Sequence, residues 1–470
     1  MMVYCFVNAT SPTWGPMGTE LHFSDATLTN TYAIGCATLA VGAPMLIPFA
    51  LKYGSRPVYV ISSAGQLAIS IWAARTMTAG DWWGVNAIQC WLGALAEVLI
   101  QMTIADVFFV HQRGLMNAIY IWVANVGSNL GVVASGFITD DMGWRWVWWW
   151  CAILFGVQLV AFVFGFEETK FAHAESPEAR QGSVAGVDVE AGSSESLNQK
   201  LSVTQVDPSI PRKTYWQKLA MTTTSPGQWS DFLIHSWQPF MLLGSIPGVL
   251  FCSLVYAILL AWMTVMTAAL SEYMLDPPYN FTASDIGLMS LAPFIGTTIG
   301  SIICGPISDR VVLQLAKRNN GVYEPEMRFW VFLPFIPFQL AGAWWFGYAL
   351  SNGWPWPQVA VSYLISNVGS APIQSLALTY MLDAYNADII GDALTAVTFC
   401  RNTMSTIFVF AMPAWISGVG MANVFNTIGG IGIIILSFAA VFIWKGKQWR
   451  VRTANVYKYY AERQFDARPV

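Results

Sequence analysis

The sequence predicts an all-α polytopic membrane protein built from two six-helix bundles, the first helix being shortened. Of its 470 residues, 55% are hydrophobic and only 11% are charged, whereas soluble proteins carry about 25% charged residues. The apolar residues form runs close to the ~20 residues that cross ~30 Å of hydrocarbon as a helix. One long polar stretch divides these runs into two groups.

Eleven full spans are predicted, and the chain begins with a shorter apolar segment. The full spans lie near 28–51, 58–78, 84–107, 116–139, 146–166, 241–269, 286–308, 329–350, 357–381, 391–416 and 424–444. Residues 1–14 are too few to cross a bilayer, and no basic segment precedes them as in a signal peptide. We interpret them as half of a first helix.

The basic residues indicate how the spans are oriented. With twelve spans and a cytoplasmic start, twenty of the 23 Lys and Arg residues fall on the cytoplasmic side, as the positive-inside rule requires. Arg75 and Arg145 fall outside, and Arg401 lies within a span. The sequon Asn280-Phe281-Thr282 is then external, which predicts a glycan on Asn280.

The polar stretch, 167–239, predicts a largely disordered cytoplasmic linker because it is rich in Ser, Glu and Gly and lacks an apolar period. Within it, 215–219 is a candidate interfacial helix. The remaining units are an N-terminal bundle, 1–166, a C-terminal bundle, 240–444, and a cytoplasmic tail, 445–470. Two six-helix halves are typical of repeat-built secondary transporters, whose substrate site lies between the halves.

The loop after the second span of each half carries a recognisable motif. The second half reads Gly305-Pro306-Ile307-Ser308-Asp309-Arg310, and the first half reads Leu51-Lys52-Tyr53-Gly54-Ser55-Arg56-Pro57. These segments resemble the cytoplasmic loop motif of the major facilitator superfamily. Four further segments resemble sequences of fungal twelve-span drug:proton antiporters. They are Ala105-Asp106-Val107-Phe108-Phe109-Val110-His111-Gln112-Arg113-Gly114, Gly143-Trp144-Arg145-Trp146-Val147, Glu324-Pro325-Glu326-Met327-Arg328 and Arg401-Asn402-Thr403.

This resemblance implies the major facilitator fold and a cytoplasmic gate made of charged residues. A carboxylate at a helix end can pair with an arginine and a neighbouring helix terminus, and such a contact can break as the halves move. The implied gate residues are Asp309, Arg310, Lys52, Arg56, Asp106 and Arg113. In the first half, Leu51 stands where the family carries a carboxylate.

The fourth span has one polar face, which we predict to couple proton and substrate movement. Its coupling candidates recur at helical spacing; they are Asn86, Gln89, Glu97 and Gln101. Glu97 lies mid-span, where an acidic residue costs ~2.5–3.5 kcal/mol on insertion scales. Such a residue is tolerated beside a wet cavity or a partner. Glu97 therefore carries a proton, pairs with a cationic substrate, or bonds structurally to another helix.

Further polar and flexible residues are candidates for the cavity lining: Asn125, Tyr256, Met263, Asn367, Gln374, Arg401 and Asn402. An arginine inside a span must find an acceptor, and Asp383 and Asp392, which flank the cytoplasmic connection between spans ten and eleven, are candidate partners. Within the fifth span, the segment from Gly127 to Gly136 resembles the family's antiporter motif, although Val132 stands where the motif has proline. Small residues there also suit simple helix packing.

These features favour a secondary transporter and not an enzyme. No Gly-x-x-x-x-Gly-Lys-Ser/Thr loop occurs, the scattered His and Cys predict no metal site, and no basic patch suggests nucleic acid. We expect proton-coupled export of a small organic molecule, without a cofactor, by a monomer in the plasma membrane. The alternatives are import of a small organic cation such as a polyamine, and a non-transporting sensor or inactive remnant.

Overall fold

The structure is a computed structural model that describes residues 2–107, 110–168, 229–275, 277–385 and 387–461. The candidate helix at 215–219 lies outside these ranges. The described residues form helices and no strand. Nine helices precede the linker: α1 Met2–Asn8, α2 Trp14–Leu21, α3 Asp25–Tyr53, α4 Ser55–Ala74, α5 Ala79–Gly93, α6 Leu95–Val107, α7 Val110–Asn125, α8 Gly131–Met142 and α9 Trp144–Gly165.

Nine more described helices follow the linker. They are α10 Trp229–Ser245, α11 Pro247–Tyr273, α12 Ala283–Met289, α13 Leu291–Arg318, α14 Phe329–Phe332, α15 Ile336–Ser351, α16 Trp356–Ala384, α17 Ala387–Val419 and α18 Met421–Ala461. Consecutive helices such as α5 and α6 share one span. Between α7 and α8, Val126–Leu130 forms a π-helical turn, a feature often found beside functional sites.

Every predicted full span falls on one of these helices or on consecutive helices. Among the described residues, nine helical stretches are long and apolar enough to cross a membrane. Helices α16 and α17 are also long, but they fall outside that set; they carry polar residues such as Asn367 and Arg401. Polar residues inside a span face a cavity or another helix instead of lipid.

Three predicted boundaries need correction. The first helical segment continues beyond residue 14, through a 3₁₀ turn at Ser11–Thr13 and α2, to Leu21. Helix α10 occupies 229–239, which the sequence assigned to the linker, because its buried His235 and Gln238 face the bundle. Helix α18 runs past residue 444 to Ala461, so the predicted tail begins as helix.

The first half has an aromatic core of its own, and a larger core runs through the second half and into helices α3 to α6 of the first. In the first half, Phe6 of α1 contacts Trp148 and Phe155 of α9 edge-on, with ring centroids 5.2 and 5.5 Å apart. In the second half, Phe251 of α11 stacks on Phe442 of α18 at 4.5 Å. The halves meet chiefly where α3 packs on α17 and where α8 packs on α12. The space between these two contacts is the cavity described next.

Candidate functional site

A cavity of about 210 Å³ lies between the two halves. Helices α1, α3, α5, α6 and α7 line it from the first half, and α11, α16 and α17 line it from the second. Its wall mixes apolar side chains with tyrosines and amides, a composition typical of small-molecule sites. A site shared by two halves changes shape when the halves move.

The centre of this cavity holds an ion pair that joins the halves. Arg401 on α17 binds Glu97 Oε1 through Nη2. The other carboxylate oxygen, Glu97 Oε2, accepts a hydrogen bond of 3.1 Å from Asn402 Nδ2. The Glu97 side chain is 9% exposed and that of Arg401 is 19% exposed. The carboxylate of one half is therefore held by two neighbouring residues of the other.

This pair corrects the partners that the sequence suggested for Arg401. Asp383 instead accepts a 2.6 Å bond from Arg328 Nε. Asp392 lies 3.5 Å from Nδ1 of His235 on α10. The acids suggested by the sequence lie close to Arg401 along the chain, whereas the fold brings Glu97 to it from 304 residues away.

Most of the predicted coupling and cavity residues lie in the cavity wall. Those that line it are Asn86, Glu97, Gln101, Asn125, Tyr256, Met263, Gln374, Arg401 and Asn402. Gln89 and Asn367 do not line it. Gln89 is buried against α4, where its carbonyl accepts a 2.8 Å bond from Gln66; Asn367 is buried and bonds to the carbonyl of Tyr363 at 2.9 Å.

Several wall residues were missed by the sequence argument. Tyr4 and Tyr120 share a hydroxyl hydrogen bond of 2.8 Å, and both line the cavity. Tyr32 and Cys36 line it from α3. The four-residue spacing of Tyr32 and Cys36 on one helix face was a usable signal. Tyr4 had none, because it belongs to the first segment, which was not predicted as a full span.

The inner end of the bundle is the end where α3 passes into α4. There, the predicted gate residues Asp309 and Arg310 are exposed, and within the described residues their side chains form no ion pair. The ion pair at the inner end of this half is made instead by Arg328, which bonds Asp383 and, at 3.5 Å, Ser308. Nearby, the hydrogen bond from Lys447 Nζ (2.6 Å) lowers the pKa of the Glu324 carboxyl.

In the first half, the inner-end contact is made by a carboxylate outside the predicted motif. Glu168 Oε1 accepts bonds from the amide and hydroxyl of Ser55 at 3.1 and 3.0 Å, and Oε2 accepts one from the Arg56 amide at 3.2 Å. Arg56 also donates to the Val163 carbonyl at 2.8 Å. Lys52 is buried, with Nζ 6.0 Å from the centre of the Tyr53 ring. The side chains of Asp106 and Arg113 lie outside the described residues.

The glycine between α3 and α4 makes this contact possible. Gly54 has a φ of +107°, and a Cβ placed there would lie 2.9 Å from the Glu168 carboxyl carbon. A side chain would therefore displace the carboxylate that caps the start of α4. Acidic groups at a helix start are stabilised by its dipole.

The outer end is the end where α8 passes into α9, and here the halves touch directly. Ser11 and Ser271 share a hydroxyl hydrogen bond across the halves. Asp140 Oδ2, in the last turn of α8, accepts a 2.8 Å bond from the amide of Ser284 at the start of α12. A Cβ added to Gly136 would lie 2.6 Å from the Ala283 carbonyl oxygen. The cavity is thus covered at its outer end.

Comparison with known proteins identifies the family. The sequence profile of the Major Facilitator Superfamily matches residues 1–409. The chain belongs to this superfamily. The resemblance in the loop motifs, the all-α polytopic fold and the membrane location are therefore confirmed. Members of this superfamily are secondary transporters of small molecules across bilayers and generally not enzymes.

Fungal relatives and a solved structure agree with this assignment. The MFS-type transporter C1271.10c of Schizosaccharomyces pombe is 28% identical, over 94% of this chain and 81% of that protein. Protein HOL1 of Saccharomyces cerevisiae is 25% identical, over 90% and 79%. Efflux pump radE of Floropilus chiversii is 24% identical, over 90% and 72%. The human organic anion transporter MFSD10 (TETRAN) shares the fold, with a TM-score of 0.60, 11% identity and coverage of 93% and 96%.

The outer-end contact gives a first prediction. Asp140→Asn should weaken the bond to the Ser284 amide and the favourable charge at the start of α12, a loss of about 1 kcal/mol. The ratio of covered to open molecules should then fall about fivefold. An impermeant thiol reagent added from outside should then alkylate the cavity residue Cys36 about fivefold faster. Asp141→Asn is the matched control, and equal rates in both variants would contradict the contact's role. Cys36→Ser identifies the labelled thiol.

Proposed function

We propose that this transporter couples the export of a small organic molecule to proton entry, acting as a monomer in the plasma membrane. The observation that carries the proposal is the Glu97–Arg401 pair across the halves. The pair must separate when the cavity changes sides. A proton on Glu97 would neutralise the carboxylate and release Arg401, so protonation and movement of the halves would be linked.

Export is favoured over import by two features. The small residues from Gly127 to Gly136, which begin within the π turn, resemble the antiporter motif, and Gly136 lets α8 approach α12 closely. Two relatives are named as efflux pumps, one of them as a probable one. Import of a small organic cation such as a polyamine is the second candidate, because Glu97 places a carboxylate in the cavity wall. A non-transporting sensor is the remaining alternative.

A flux assay separates these functions. Secretory vesicles from cells with and without the protein would be given a panel of labelled drug-like compounds, metabolites and polyamines, with a proton gradient imposed. Export coupled to protons predicts uptake into the vesicle lumen that a protonophore abolishes. Uptake of polyamines by intact cells, with no vesicle uptake, would favour the importer. Absence of flux for every compound in both directions would favour the sensor.

The external sequon gives a second prediction. Asn280 is exposed, in the loop before α12, and Thr282 caps that helix through hydrogen bonds with Asp285. Asn280→Gln should remove one glycan and increase gel mobility by one step, equal to the shift from endoglycosidase treatment. Thr282→Ser keeps both sequon and cap and should leave the mobility unchanged. Identical mobility of the Asn280→Gln variant and wild type would show that the site is unused.

A further inference from the structure

The cavity wall carries one acid and one base, and they come from opposite halves. Among the described lining residues, Glu97 and Arg401 are the charged ones. The cavity is therefore balanced in charge as long as the two remain together. A site of this kind differs from one built for a simple cation, which would carry an excess of carboxylates.

The pair leaves hydrogen-bonding groups unused. Arg401 presents five N–H donors, and within the described residues its buried Nε–H has no hydrogen-bond partner. Gln101, one turn beyond Glu97 on α6, has a buried side-chain oxygen that is likewise without a donor. Buried polar groups left unpaired destabilise a structure. A ligand that supplies both an acceptor for Arg401 and a donor for Gln101 would complete the site.

Movement of the halves adds a second reason for a ligand with both charges. When α6 and α17 separate, each leaves a charge that has lost its partner, which is strongly unfavourable in a buried site. A monovalent cation compensates Glu97 alone, and a monovalent anion compensates Arg401 alone. A ligand that carries both charges compensates both residues and can bridge the halves.

We infer that the substrates are small zwitterions, with a cationic nitrogen held by Glu97 and Gln101 and a carboxylate or similar anion held by Arg401. The rest of the cavity predicts an apolar or aromatic body, since Tyr32, Ile121, Tyr256 and Met263 line it. The cavity of about 210 Å³ suits a molecule of amino-acid size. The inference rests on the proposed function, because it names the substrate class of the same site.

A matched set of probes tests the charge requirement without knowledge of the natural substrate. At about pH 6, L-phenylalanine is zwitterionic, its methyl ester is cationic, and N-acetyl-L-phenylalanine is anionic, while all three share one body. The corresponding leucine derivatives repeat the comparison with an aliphatic body. Binding would be measured on the purified full chain in detergent, as the rise in thermal unfolding midpoint with probe concentration.

The wild-type protein should bind the zwitterion of either set with a half-saturating concentration at least about tenfold below those of the ester and the N-acetyl compound. Glu97→Gln should shift the preference towards the N-acetyl anion, and Arg401→Gln towards the ester cation. The wild-type ranking is decisive even if a variant does not fold.

An ester or N-acetyl compound that binds as tightly as the zwitterion would overturn the inference, and so would the absence of binding by all six probes at millimolar concentration. These measurements use no gradient, so they are independent of proton coupling. If the zwitterion binds most tightly but a protonophore does not change the flux, the proposed proton coupling is rejected and the zwitterion inference stands. If an uncharged or singly charged compound is transported by the proton gradient and the zwitterion does not bind most tightly, the zwitterion inference is rejected and the proposed function stands.

Discussion

Glu97→Gln should lower gradient-driven transport by about 100-fold or more, while the protein still reaches the membrane. Glutamine has nearly the shape of glutamate and can still accept from Asn402, but it can neither take up a proton nor balance Arg401. Initial rates would be measured in vesicles under an imposed proton gradient, and normalised to the amount of protein in the membrane. Asp141→Asn, at the exposed outer end, is the control and should transport like wild type.

A purely structural role for the pair predicts a different pattern of variants. Loss of Glu97 leaves Arg401 buried without its acid, which costs about 3–5 kcal/mol of stability when one partner of a buried pair is removed. The double variant Glu97→Gln/Arg401→Gln removes both charges and should recover most of that stability. If the pair only clamps the halves, the recovered stability brings transport back.

If Glu97 couples protons to movement, the double variant is stable and still inactive under a gradient. Thermal unfolding and flux are measured on the same preparations, so stability and coupling are read separately. Unchanged flux in the single variant would contradict the coupling role directly. The comparison needs no knowledge of the substrate beyond one transported compound.

The fold was largely predictable because a helix that crosses lipid must be apolar over a fixed length. Apolar runs of spanning length, interrupted by basic loops, locate helices such as α3, α9 and α18 without tertiary information. This apolar pattern is less clear in a helix that faces protein on several sides. Helix α17 carries Arg401 and Asn402 in its centre, and α10 hides His235 and Gln238 in a segment of polar character.

The site was predictable only in part, because its contacts join distant parts of the chain. Glu97 was identifiable alone, since a mid-span acid is costly without a purpose. Its partner was not, because 304 residues separate Arg401 from it and many acids, such as Asp383 and Asp392, lie nearer to Arg401 in sequence. Glu168 was missed for a similar reason. It binds the backbone amides of Ser55 and Arg56, and a contact with backbone amides cannot be recognised from the types of the residues that carry them.

The contact between α15 and α16 depends on two glycines whose substitution should have a large effect on stability. A Cβ added to Gly342 would lie 2.2 Å from the Ser366 amide nitrogen, and one added to Gly369 would lie 2.4 Å from that of Gln339. These neighbours are backbone atoms and cannot rotate away. Ser366 Oγ also donates to Gln339 Oε1 at 3.3 Å across the same contact.

Gly342→Ala should therefore separate the two helices and lower the free energy of unfolding by about 3 kcal/mol, the upper range for overpacking a core. Gly430→Ala, in α18, meets no atom within 4 Å and should stabilise by up to about 1 kcal/mol, because alanine is the better helix former. Unfolding in detergent, followed by the fluorescence of a thiol-reactive dye, gives both values. Equal midpoints for the two variants would mean that the helices have room to move apart, and that close backbone packing does not hold the second half together.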